Sequence, residues 1–94
     1  MWLDDERPMP SGYTHHVKTA NEAIELLKTG KVVTCSLDHD LGDGNGTGYD
    51  VAKWIEQQAH AGMLPKIRCK VHSQNPAGAR NIKLALQSAY KAWA

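Results

Sequence analysis

Short apolar runs alternate with stretches of helical periodicity along this chain, and that alternation gives an element order. Trp2 to Asp4 reads as a very short strand. Glu6 to Tyr13 carries Pro8, Pro10 and Gly12 and predicts a loop, since proline lacks the donor a helix needs. His15 to Lys18 reads as a second short strand. Thr19-Ala20-Asn21-Glu22 predicts a capping box; Ala20, Ala23, Ile24 and Leu27 follow at helical spacing, and Gly30 is a natural stop. Lys31 to Leu37, β-branched and largely apolar, predicts a buried strand. Leu41 to Gly48 holds four glycines and predicts a loop. A helix from about Thr47 turns Val51, Ile55 and Ala59 inward and ends at Gly62 and Pro65. Lys66 to His72 sets Lys66, Arg68 and Lys70 against Ile67, Cys69 and Val71, the alternation of an edge strand with one wet face. Asn75 as N-cap and Pro76 at the first position open a last helix, with Ala79, Ile82, Leu86, Ala89 and Trp93 along one stripe.

Strands that alternate with helices imply an α/β fold with a parallel sheet. Right-handed crossovers favour a short, roughly four-stranded sheet of order 2-1-3-4 with about three helices. Its switch point falls between the first and third strands, where ligands bind beyond the carboxyl ends. Asp4, Asp5 and Asp38 are expected at those ends.

Composition narrows the picture. Ninety-four residues without repeats, low-complexity tract or linker read as a single domain, 1–94. Eleven basic against 10 acidic residues, formal charge +1, argue against dedicated DNA binding and leave room for a small phosphorylated ligand. No apolar run reaches the roughly 18 residues of a membrane span, and the start lacks the pattern of a signal peptide. Cys35 and Cys69 lie in apolar runs without a C-x-x-C pair, which predicts reduced core thiols in a cytoplasmic protein. Oligomeric state is not legible.

Carboxylates crowded at one sheet edge repel unless protons or a cation intervene, and an oxygen-rich set suits Mg²⁺ or Mn²⁺. Asp4, Asp5 and Asp38 are the candidate metal ligands. His39 and His72 both follow strand-like runs and are expected to border the same pocket. With Asp38 they are the candidate catalytic residues, the imidazoles as general base and general acid. The candidate phosphate- and substrate-binding residues are Arg7, Asp40, Thr47, Ser73 and Asn75. Arg7 has two readings, a bidentate phosphate ligand or an ion-pair partner of Glu6 or Asp40. Ser73 and Asn75 precede a helix N-terminus, whose free N–H groups favour anions. The loop from Gly42 to Gly48 reads either as a phosphate cradle or as a flexible lid. Tyr49, expected beside the pocket, is a candidate for stacking on a base.

The layout resembles a shortened receiver domain of the two-component response regulators, a flavodoxin-like fold. Carried over, Asp4 and Asp5 match the acidic pair, Asp38 the phosphoacceptor and Ser73 the Ser/Thr position. The usual Lys has no counterpart, and the first helix is replaced by the Pro-rich loop. A closer resemblance is to the cyclic-phosphate processing receiver-like domain family. It is carried by Trp2-Leu3-Asp4-Asp5-Glu6-Arg7-Pro8, Ser36-Leu37-Asp38-His39-Asp40-Leu41-Gly42, Gly46-Thr47-Gly48-Tyr49-Asp50 and Val71-His72-Ser73-Gln74-Asn75-Pro76. With the site residues, the resemblance implies a metal-assisted phosphoesterase acting on a cyclic phosphate or cyclic nucleotide. The alternatives are a non-catalytic nucleotide- or phosphate-binding module and a phosphoacceptor, the latter weakened by the missing Lys.

Overall fold

The strands are β1 (Trp2–Leu3), β2 (His16–Val17), β3 (Thr34–Leu37) and β4 (Arg68–Val71), and the helices α1 (Ala20–Leu27), α2 (Gly48–His60) and α3 (Pro76–Trp93), in a computed structural model that describes residues 1–94. The sheet order is β2-β1-β3-β4, and every pair is parallel. This is the order expected from the crossovers. The strands are shorter than their apolar patterns. β3 starts at Thr34 rather than Lys31: the Val33 carbonyl accepts from the Arg68 amide at 3.0 Å, but Val33 has no register partner and is 72% exposed. A β-branched residue suits any extended segment, so composition alone does not mark where pairing starts.

Caps set the helix starts. The Thr19 hydroxyl accepts from the Glu22 amide at 3.1 Å, but the expected return bond from the Glu22 carboxylate is absent, and that side chain stays exposed. The complete capping box belongs to α2, where Thr47 Oγ1 accepts from the Asp50 amide and Asp50 Oδ2 accepts from the Thr47 amide. Asn75 caps α3 by accepting from the Gly78 amide at 3.0 Å, with Pro76 as first helical residue.

Register decides which face of the sheet each residue joins. Val17, Leu3, Leu37 and Val71 form one cross-sheet row, and His16, Trp2, Ser36 and Lys70 form the next. Successive side chains on a strand point to opposite faces. The first row, with Cys35, packs in a single cluster with Ala23 and Leu27 of α1, Val51 and Ile55 of α2, and Ile82 and Leu86 of α3. All three helices therefore cover one face, and the fold has two layers. On the other face, Trp2 is covered by the Pro-rich loop. Its indole donates to the Arg7 carbonyl at 3.3 Å, and its ring lies 5.4 Å from that of Tyr13.

The edge strand β4 carries its own block. The Cys69 amide donates to the Tyr90 hydroxyl at 2.8 Å, and that hydroxyl lies 3.2 Å from the Cys69 carbonyl as donor. Cys35 and Cys69 are register partners and are both free thiols. No helix is long and apolar enough to cross a membrane.

Candidate functional site

Parallel strands end together, so the residues that follow β1, β3 and β4 converge at the carboxyl edge of the sheet. The Asp38 amide donates to the Leu3 carbonyl and the His72 amide to the Leu37 carbonyl, at 3.0 and 3.1 Å. These ladder bonds bring Asp4, Asp38 and His72 side by side. Asp4, Asp5 and Asp38 each place a carboxylate oxygen within 4.8 Å of the others. They line one polar cleft with Glu6, Arg7, Asp40, Gly42 and Gln74.

Asp4 is 1% exposed, and both of its oxygens are engaged. Oδ1 accepts from the amides of Glu6 and Arg7, each at 2.8 Å, and Oδ2 meets His72 Nε2 at 3.0 Å. Burial pushes the Asp4 carboxyl up. The Arg7 and Glu6 amides and the His72 imidazole outweigh it and hold the group below the ordinary range. Asp38 has a single such contact, from the His39 amide at 2.9 Å. Burial, followed by the charge of Asp4, lifts its carboxyl above the ordinary value. Asp5 makes no side-chain hydrogen bond within the chain.

The histidines take different places from those expected. His72 touches Asp4 but does not line the cleft. Its Nδ1 is 2.7 Å from Ser36 Oγ, and its ring stacks on Trp2 with centroids 3.7 Å apart and planes 7° from parallel. Burial lowers its imidazole, against the pull of Asp4 and Asp38. His39 lies away from the cleft as well. Its Nδ1 is 2.8 Å from Asp40 Oδ1, and its ring packs on the first turn of α3, where a Cβ at Gly78 would land on the imidazole. The expectation that both imidazoles border one pocket is corrected, since neither lines the cleft; alternation past β4 puts His72 on the face shared by Trp2, Ser36, Asp4 and Asp38, where its Nε2 is taken up by Asp4.

Arg7 forms no ion pair with Glu6 or Asp40. Its Nη1 donates to the His72 carbonyl at 2.9 Å, and it lines the cleft. Asp40 lines the cleft too. Thr47, Ser73 and Asn75 do not: Thr47 caps α2, Ser73 Oγ accepts from the Asn75 amide, and Asn75 caps α3. Tyr49 lines a separate groove with Lys53, Asn81 and Leu84 and not the cleft. The glycine-rich segment is a tied turn. Asn45 Nδ2 donates to the Leu41 carbonyl at 2.7 Å, and the Asn45 carbonyl accepts from the Ala20 amide at 2.9 Å. Its φ of 87° suits Gly42 to a left-handed bend on the cleft wall.

Gln74 in the cleft, and Ser36 and Trp2 behind His72, are site residues that the sequence did not single out. Ser36 had a signal: with Thr34 it is one of two hydroxyl residues inside the otherwise apolar run from Val32 to Leu37.

A family model described as the cyclic-phosphate processing receiver domain matches residues 1–88. No curated protein and no solved structure matches the chain.

Proposed function

The chain belongs to the cyclic-phosphate processing receiver domain family, and from that premise we propose that its carboxylate cleft binds a cyclic phosphate ester and opens it by hydrolysis. The observation that carries this is the meeting of Asp4, Asp5 and Asp38 beside Arg7 in one polar cleft. The donor set fits a hard divalent cation, because it is all oxygen and its charges repel one another. Asp4, Asp5 and Asp38 would hold Mg²⁺ or Mn²⁺, which when bound supplies Lewis acidity and neutralises charge on the phosphoryl group.

The chain's own residues do the rest. Arg7 offers guanidinium N–H groups to the phosphate oxygens. Asp38, whose carboxylate has one hydrogen bond, from the His39 amide to Oδ1, and so keeps a free oxygen, takes a proton from the attacking water as the new O–P bond forms. The ring P–O bond breaks, and the departing oxygen takes its proton from solvent. No hydrophobic residue lines the cleft. The ligand is accordingly read as recognised through its phosphate, with a cyclic nucleotide as one member of the class and its base left in solvent.

A second reading, capture of a phosphorylated ligand without turnover, is favoured by one observation: neither His39 nor His72 lines the cleft. Phosphorus NMR of a panel of cyclic phosphates, with and without Mg²⁺ or Mn²⁺, separates the two. Hydrolysis predicts a new phosphomonoester resonance that needs the metal. Line shifts without product support capture. Neither change would exclude both.

A further inference from the structure

We propose that His72 is a positioning residue that holds the Asp4 carboxylate in the orientation in which it meets Asp5 and Asp38, and so sets the affinity of the cleft for a divalent cation. The inference rests on the reading of the cleft as a cation site, and it gives His72 a role other than acid–base transfer.

The imidazole is fixed on each of its working surfaces. Nε2 lies 3.0 Å from Asp4 Oδ2, Nδ1 lies 2.7 Å from Ser36 Oγ, and one ring face stacks on Trp2 at 3.7 Å. An ionised carboxylate only accepts, so the Nε2 hydrogen points to Asp4. In the neutral ring Nδ1 is then the acceptor, and the Ser36 hydroxyl donates to it. Ser36 is 2% exposed, and its hydroxyl makes no other hydrogen bond.

Asp4 is gripped from two sides. The Glu6 and Arg7 amides hold Oδ1 and His72 holds Oδ2, which stops the carboxylate from turning about χ2. Oδ1 spends both acceptor sites on the two amides, and Oδ2 keeps one beside His72, so Asp4 can still ligate through Oδ2. The same segment is tied to His72 through the chain, by the Arg7 guanidinium on the His72 carbonyl and by the Trp2 indole on the Arg7 carbonyl. Groups that orient a metal ligand from behind typically change affinity about 10–100-fold when removed. A ring with both nitrogens engaged, outside the cleft, can act on the cation only in this way.

The test is Mn²⁺ binding by titration calorimetry, with Mn²⁺ alone as the probe, alongside melting by circular dichroism. His72→Phe keeps a ring on Trp2 and loses both hydrogen bonds; it should weaken Mn²⁺ binding by about 10-fold or more. His72→Gln keeps a side-chain N–H able to reach Asp4 and should recover affinity to within about 3-fold of the native chain. A lower melting temperature in His72→Phe with Mn²⁺ affinity unchanged would mean a structural role only and would overturn the inference alone. Failure of the native chain to bind millimolar Mn²⁺ would overturn the cation reading and the inference together. If His72→Phe does not fold, Ser36→Ala removes only the far bond. It should weaken Mn²⁺ binding by up to about 5-fold, the scale of one neutral hydrogen bond, and unchanged affinity there would count against the inference.

Discussion

Asp4 and Asp38 follow neighbouring parallel strands into the same cleft, yet the fold treats their charges in opposite ways. Asp4 receives two amides and an imidazole and is held below the ordinary carboxylate range. Asp38 receives one amide, loses hydration, faces Asp4 and is pushed above that range. The difference lies in the donors each strand end supplies. Substitutions at the two positions should therefore have opposite effects on the metal-free protein. Asp4→Ala leaves three partly buried donors without their acceptor and should cost about 2–4 kcal/mol. At about 4–8 °C per kcal/mol, the melting temperature should fall by 10 °C or more. Asp38→Asn removes a repelled charge and should raise it by a few degrees at pH 7, while abolishing cation binding. Thermal denaturation with chelator present checks both.

The pH dependence has a definite sign. For Asp4 the folded value lies below the unfolded one, so its stabilisation is complete above the ordinary carboxylate value, about 3.9, and is lost as pH falls through the depressed folded value. For Asp38 the folded value lies above the unfolded one. The native state holds the extra proton between the two values, so stability drops as pH rises through that window. Between pH 7 and the ordinary carboxylate value Asp38 adds stability as pH falls, while His72, whose imidazole burial lowers, takes stability away over the same range. Urea unfolding at a series of pH values isolates the Asp38 contribution as the difference between profiles: the native chain should gain stability relative to Asp38→Asn as pH is lowered through that window. Equal profiles would contradict the assignment.

A cation that binds only the folded state raises stability by mass action. At a concentration about 100 times its dissociation constant the gain is about 2.7 kcal/mol. Mn²⁺ should therefore raise the melting temperature by roughly 10–20 °C. Asp5→Asn should lose most of that increase with little effect on the metal-free protein, because Asp5 has no hydrogen-bond partner within the chain. Scanning calorimetry with and without Mn²⁺ tests this.

Two glycines set close approaches at the site. A Cβ at Gly78 would land on the His39 ring, and one at Gly48 would land on the Asp38 backbone carbonyl. Overpacking of this kind typically costs about 1–3 kcal/mol. A side chain can yield where a backbone carbonyl cannot, and the carbonyl belongs to a cleft residue. Gly48→Ala should thus be the more destabilising of the two and should also weaken Mn²⁺ binding. Gly78→Ala should mainly move the His39 resonances. Chemical denaturation and imidazole NMR distinguish these outcomes.

The sequence by itself determined the strand order, the helix caps at Thr19 and Asn75, and the arrival of Asp4, Asp5 and Asp38 at one sheet edge. These follow from local periodicity, from capping chemistry a few residues long, and from the geometric fact that parallel strands end together. Tertiary structure alone decided that the helices share one face, that β3 starts at Thr34, and that His72 binds Ser36 and Asp4 rather than facing the cleft. The partners of His72 lie 36 and 68 residues away in the chain. Which of them it meets depends on strand register and on the face it takes one step past β4. A shift of one residue would turn its ring to the other side of the sheet. Local pattern carries no record of that choice, which packing makes once the strands are aligned.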